Sequence, residues 1–171
     1  MEFTPIRPTA LKYGPIIGVA TAAYGIMLIA TNLFTNSALS FVSWIISIGG
    51  LVLAFREYKS LNQGFMPFNT GFKLGFLTSF IASVVSVIIS QVYTSLIAPE
   101  SVEKVLDYTR MQLEENPAMT EEVIDMTMSW TSKMMEPFIA IPVGLVTGAI
   151  GAAIMAVILA AIMKKEPTTN V

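Results

Sequence analysis

Four stretches of this chain carry no charge at all: residues 13–33, 38–55, 74–97 and 138–163. That pattern limits the possible folds more than anything else in the sequence. A helix needs roughly 20 apolar residues to cross a hydrocarbon layer about 30 Å thick. Within that layer each backbone N–H and C=O must find its partner inside the protein. The four stretches are therefore expected to be transmembrane helices. The composition agrees, with 54% hydrophobic and only 13% charged residues, where a soluble domain has about 25% charged. The expected fold class is all-α: one membrane domain over residues 1–171, a bundle of four spans with an extracytoplasmic amphipathic helical hairpin, residues 98–137, between the third and fourth. The last stretch is longer than a crossing requires and is expected to tilt or to begin in the interface.

The first stretch has a second reading, as a secretory leader with Arg7 and Lys12 as its basic region and a poor cleavage site at residues 36–38. Its apolar run exceeds the usual ~7–15 residues of a leader, and another span follows almost at once, so an uncleaved helix is expected. Lys and Arg near the span ends set the orientation. Arg7, Lys12, Arg56, Lys59, Lys73, Lys164 and Lys165 fall on one side, and Lys104, Arg110 and Lys133 on the other. This places both termini in the cytoplasm and the 98–137 segment outside.

That outer segment holds nine acids and three bases, a net charge of −6. Its apolar residues recur at helical spacing in two halves separated by Asn116-Pro117, with Pro suited to a first helical position. Val102, Val105, Leu106, Thr109 and Leu113 form one stripe. Met119, Val123, Met126, Trp130 and Met134 form the other. The halves are expected to pack on each other or to lie on the bilayer, with Trp130 suited to an interface. The acidic polar face favours a cap or a partner-binding hairpin over a surface-lying one.

Lipid supplies no hydrophobic drive for helices to associate, so small residues that let backbones approach matter more. Every span has such a stripe: Gly14, Gly18 and Ala22; Ser43, Ser47, Gly50 and Ala54; Gly71, Gly75, Ser79 and Ser83; Gly144, Gly148, Ala152, Ala156 and Ala160. They predict tight contacts within one bundle, and the long fourth stripe also suits a homodimer. A faint repeat pairs Thr9, Lys12, Gly14 and Gly18 with Thr70, Lys73, Gly75 and Ser79, which suggests two hairpins related by an axis along the membrane normal. Pro142, a turn into the fourth span, is expected with Pro137 to form a corner.

The chain contains no cysteine and no histidine. Thiolate chemistry, disulfides and zinc sites built on these residues are excluded, and general acid–base catalysis lacks its commonest agent. No span has an ionisable residue at its centre, which argues against a proton-coupled pump. Thr21, Thr78, Ser83 and Ser86 are expected to bond their own helix backbone; Gln91 is the one amide placed to bridge helices. The eleven methionines suit Cu(I) in principle but are read as packing. The pairs Glu114-Glu115 and Glu121-Glu122 are read as solvated charges, with a weak divalent-cation site as the alternative. No catalytic residue, metal site or cofactor is expected, and the small net charge suggests no nucleic-acid partner. Arg56, Phe65, Phe68, Phe72 and Trp130 are the candidates for contact with a partner, a lipid or the membrane interface.

Tyr13-Gly14 opening the first span, Phe55-Arg56 closing the second, the 64–71 stretch with Phe68, Tyr93 and Pro99 at the end of the third, and the acidic outer hairpin together resemble the bacterial membrane family catalogued as domain of unknown function 4199, common in the Bacteroidota. The resemblance covers nearly the whole chain. It implies a four-span inner-membrane protein of a Gram-negative cell and carries over no functional residues, because the family has no established activity. The expected function is a non-enzymatic accessory or scaffold subunit with membrane lipids and a homo-oligomer or membrane-protein partner; the alternative is a small oligomeric transporter or pore for an uncharged or apolar solute.

Overall fold

The structure is a computed structural model that describes residues 3–166. The outermost positions of the expected domain, 1–2 and 167–171, lie outside the described residues. Among the described residues six α-helices follow one another: α1 Arg7–Ala30, α2 Ser37–Leu61, α3 Phe68–Val92, α4 Glu100–Glu114, α5 Glu121–Met135 and α6 Pro137–Met163. The last turn of α3 widens into a π-helix over Tyr93–Ile97. Four of these helices are long and apolar enough to cross a membrane. A helix of 24 residues, as in α1, is about 36 Å long, sufficient for a hydrocarbon layer of about 30 Å.

The helices outrun the uncharged stretches at the basic end. α1 starts at Arg7, α2 continues to Leu61, and α3 starts at Phe68. Arg56, Lys59 and Lys73 are helical residues rather than loop residues, because long basic side chains can carry their charge to water from the end of a span. Local signals fix the boundaries. Pro8 occupies the first turn of α1, where a missing N–H costs nothing. Asn36 caps α2, its side chain accepting from the backbone N–H groups of Ala38 and Leu39. Gln63 and Gly64 turn the chain between α2 and α3 in the left-handed region, at φ 54° and 85°; glycine suits the second of these.

α3 is the central helix. It packs most extensively on α6 and α1, while α2 leans mainly on α1. The α3–α6 seam is antiparallel and regular. A Cβ placed on Gly71 would meet Ala160 at 3.2 Å, one on Gly75 would meet Ala156 at 3.1 Å, one on Gly148 would meet Ser83, and one on Gly144 would meet Val87 at 3.0 Å. Each step of four along α3 is matched by a step of four back along α6, bringing one small residue per turn to the seam. On its other side α3 runs parallel to α1. A Cβ on Gly14 would lie 2.7 Å from Ile81, and one on Gly18 would lie 2.6 Å from the backbone oxygen of Ala82. The stripes of α1, α3 and α6 are thus occupied within the chain; a homodimer would have to use another face. Of the α6 stripe, Ala152, Ala156 and Ala160 are buried and Gly144 and Gly148 are half-buried.

The faint repeat does not extend to these contacts. Gly14 faces α3, whereas Gly75 faces α6 and the Phe55 ring of α2, so the two segments occupy different interfaces. The corner before α6 falls at Glu136, whose backbone is extended (ψ 134°). Pro142 lies inside the continuous helix and leaves the carbonyl of Phe138 without its helical donor.

Candidate functional site

The basic end is a packed knot. Leu51, Phe55 and Tyr58 of α2, Met66 of the turn, Leu74 of α3 and Leu159 and Ala160 of α6 form one buried cluster with Ala10. The segments before α1 and after α6 close over it. The Tyr58 hydroxyl donates to the carbonyl of Thr4 at 2.7 Å. Thr4 in turn donates its N–H to the side-chain oxygen of Asn62 at 2.7 Å. Met66 and Lys165 exchange a reciprocal pair of backbone bonds, both 2.9 Å. Lys59 donates to the carbonyl of Met163 at 3.1 Å. Lys12 and Tyr13 both donate to Glu57, at 2.5 Å and 2.8 Å. These bonds tie α1, α2 and α6 together where the basic residues collect.

The middle of the bundle is open. A cavity of about 260 Å³ lies among α1, α2, α3 and α6, lined by Thr21, Ser43, Ser47, Ser79, Ser83 and Ser86 together with Ile17, Trp44, Ala82, Gly151, Ala152 and Met155. Six hydroxyls and no charge face it. Three of them are committed to their own helices: Thr21 to the carbonyls of Ile17 and Gly18, Ser47 to that of Ser43, and Ser83 to that of Phe80. The hydroxyls of Ser43, Ser79 and Ser86 bond nothing within the described residues. All three residues are half-buried in the cavity wall, and no side-chain nitrogen or oxygen buried among the described residues lacks a partner. The thin wall lies between α2 and α6, which touch only sparsely. Trp44 stands half-exposed at that gap. Gly151, across from it, would carry a Cβ that meets nothing within 4 Å.

The candidates named from the sequence do not gather in one place. Phe68 and Phe72 stack along α3 with Phe76 and Phe80, ring centroids 6.0–6.5 Å apart. Phe65 stands apart from that ladder, with the Lys165 ammonium 5.4 Å from its ring centroid. Arg56 is exposed on α2, and Trp130 lies on α5 at the opposite end. Gln91 donates to Ser95 one turn on in the same helix, at 3.0 Å, rather than bridging to a neighbour. Glu114 and Glu121 are ion-paired rather than merely solvated: Arg110 reaches them at 2.8 Å and 3.1 Å, and Asp125 at 3.4 Å. The hydrogen bond with Glu114, and then the charges of Asp125, Glu114 and Glu121, push the Arg110 guanidinium above its already high ordinary pKa. Among the described residues no group of acids is placed to hold a metal ion.

Sequence reasoning misses the cavity and the terminal clasp. Serines at 43 and 47 and at 79, 83 and 86 recur at helical spacing, but close helix packing accounts for that spacing equally well. The clasp leaves no local signal, since its partners lie up to 104 positions apart.

Four long apolar helices, sealed at one end and leaving a hydroxyl-lined cavity at mid-depth, define a multi-pass membrane bundle. A family described as proteins of unknown function, DUF4199, matches residues 12–165. The chain belongs to that family. No curated protein and no solved structure matches it.

Proposed function

We propose that the protein binds a small uncharged amphiphile within the bilayer, which enters from the lipid through the gap between α2 and α6. The observation behind this reading is the cavity, with three serine hydroxyls free to donate and accept. A hydroxyl is both donor and acceptor, so the lining suits an alcohol, carbonyl or amide group on an apolar body. With no charge in the wall, an ion would lose its hydration and gain nothing comparable. Release at the far side of the gap would make the protein a small transporter for such a solute; retention would make it a carrier or sensor. The chemistry is binding and not catalysis.

The basic residues of the knot orient the molecule by the positive-inside rule. Both termini are cytoplasmic and the hairpin of α4 and α5 is extracytoplasmic, in the inner membrane of a Gram-negative, Bacteroidota-type cell. The accessory-subunit reading draws on the absence of catalytic groups and intramembrane charges, on the small-residue stripes and on the acidic outer hairpin. The stripes of α1, α3 and α6 are taken up inside the bundle, so a partner would dock on the hairpin.

Gly151→Leu tests the proposal, because its side chain would fill the cavity without an initial clash. In native mass spectrometry from the protein's own membranes, wild type should carry a small-molecule adduct and the variant should lose it at unchanged thermal stability. An adduct kept by the variant, or a wild type carrying only a stoichiometric protein partner, would overturn the cavity reading in favour of an accessory role.

A further inference from the structure

The two helices of the hairpin treat their apolar faces differently. On α4 the stripe Val102, Val105, Leu106, Thr109 and Leu113 is half-covered throughout. On α5 the buried residue is Ile124, at 3% exposure, while Val123, Met126, Trp130 and Met134 stand 37%, 59%, 61% and 53% exposed. At 100° per residue these four fall on a single strip, and nothing among the described residues covers it. The more covered side of α5 is the adjacent one, carrying Ile124, Met128, Thr131 and Met135.

Three observations indicate what covers the strip. First, the hairpin does not stand off from the bundle. Tyr108 of α4 packs edge-on against Phe34 in the turn between α1 and α2, with ring centroids 5.6 Å apart. α4 leaves the end of α3 and comes back over the end of α1 within eight residues of its start, so it lies across the mouth of the bundle at the level where the spans end. Arg110 holds α5 beside it through Glu121 and Asp125. Second, the start of α6 is as bare as the strip that precedes it. Phe138, four residues beyond Met134 and the second residue of that span, is 91% exposed. Third, the polar residues of α5 are sorted for a water boundary. Glu121, Asp125 and Ser132 fall on the side opposite the strip. Lys133 lies at its edge, its ammonium 5.8 Å from the Trp130 ring centroid, where a lysine can reach lipid phosphate while its stem covers apolar surface. Glu121 and Asp125 point away from the strip and are already paired with Arg110. Glu122 shares the strip's edge with Lys133, in the first turn of α5 and exposed, where its charge stays in water.

We propose that α5 is an interfacial helix whose Val123–Met126–Trp130–Met134 strip is embedded in the lipid leaflet around the acidic end, with Trp130 at the headgroup level. An amphipathic helix with an indole on its apolar side is suited to that depth.

The chain has no cysteine, so single nitroxide labels can be placed cleanly. Met126→Cys, Met134→Cys and Ser132→Cys would be labelled in the full chain and reconstituted in phosphatidylcholine nanodiscs. At Met126 and Met134, collision with oxygen should exceed collision with a water-soluble nickel chelate several-fold, and at Ser132 the order should reverse. Equal nickel access at all three positions would overturn the proposal. So would protection of Met126 from both reagents, which would mean a protein surface covers the strip. A label-free check uses Trp44→Phe, which leaves Trp130 as the only tryptophan of the two. Its emission should be blue-shifted and quenched by lipids brominated near the glycerol more than by those brominated deep in the chain. A water-like emission fully quenched by iodide would likewise refute it.

Discussion

One helix, α2, has two unlike halves. Towards the basic end, Leu51, Ala54, Phe55 and Tyr58 are at most 1% exposed and pack into the knot. Towards the acidic end, Phe41, Trp44 and Ile45 are 55–67% exposed, and Ser43 and Ser47 line the cavity. In water the second half would be unstable. In lipid it is not, because a Phe or Ile meets hydrocarbon whether it faces the lipid tails or the protein interior. A membrane bundle therefore needs tight packing only where something other than apolar burial rewards it. Along α3 that reward is close backbone approach at small residues, from Gly71 against Ala160 to Val87 against Gly144, and at the basic end the polar clasp of the two terminal segments is added to it. The side between α2 and α6 towards the acidic end has neither, and it is there that the cavity opens.

The largest effect expected from breaking this contrast comes from the seam glycines. Gly75→Val would drive a branched side chain into the Phe55 ring and the Ala156 backbone, whose atoms lie only 2.9 Å and 3.2 Å from where its Cβ would sit. The expected loss is about 3 kcal/mol, the upper part of the usual overpacking range. Gly49, with open space around it, should accept Ala with no loss, or gain up to about 1 kcal/mol in helix propensity. Unfolding by sodium dodecyl sulfate in mixed bicelles measures both, and equal effects would erase the distinction between seam and lipid face.

A smaller effect separates the two halves of α2 directly. Phe55→Ala removes a ring from the knot. In lipid the transfer part of the usual core penalty is small and the packing part remains, so the loss should be on the order of 2 kcal/mol. Phe41→Ala, in the lipid-facing half, should change stability by no more than a few tenths of a kcal/mol. If the two were alike, α2 would be uniformly packed and the cavity closed in the membrane. The smallest effect probes the clasp. Tyr58→Phe keeps the ring and removes its hydrogen bond to the Thr4 carbonyl, at an expected cost of about 0.6 kcal/mol, as for an average interhelical bond in a membrane. Amide exchange of the segment before α1 should accelerate while that of α3 stays unchanged.

The existence and number of the spans are legible in the sequence, because an uncharged run of bilayer length has few alternatives. So are the small residues at the seams. Their pairing is not, since a glycine every fourth residue marks a contact face without naming the helix opposite. On α5 the periodicity of Val123, Met126, Trp130 and Met134 identifies an apolar face correctly, but amphipathicity cannot distinguish a face turned to a neighbouring helix from one turned to lipid. The charges of Glu114 and Glu121 are visible as well; that both converge on Arg110 depends on how the hairpin closes.

By itself, then, the sequence determined that this chain enters a membrane as four helices, because charge and hydrophobicity act residue by residue against a solvent of fixed thickness. The tertiary structure alone decided that α3 is central, that the segments flanking α1 and α6 seal one end of the bundle, and that serines of α2 and α3 line one cavity. Each of these depends on which surfaces meet across long separations in sequence. Lipid solvates every apolar face about equally well, so only steric fit and polar pairing choose among them.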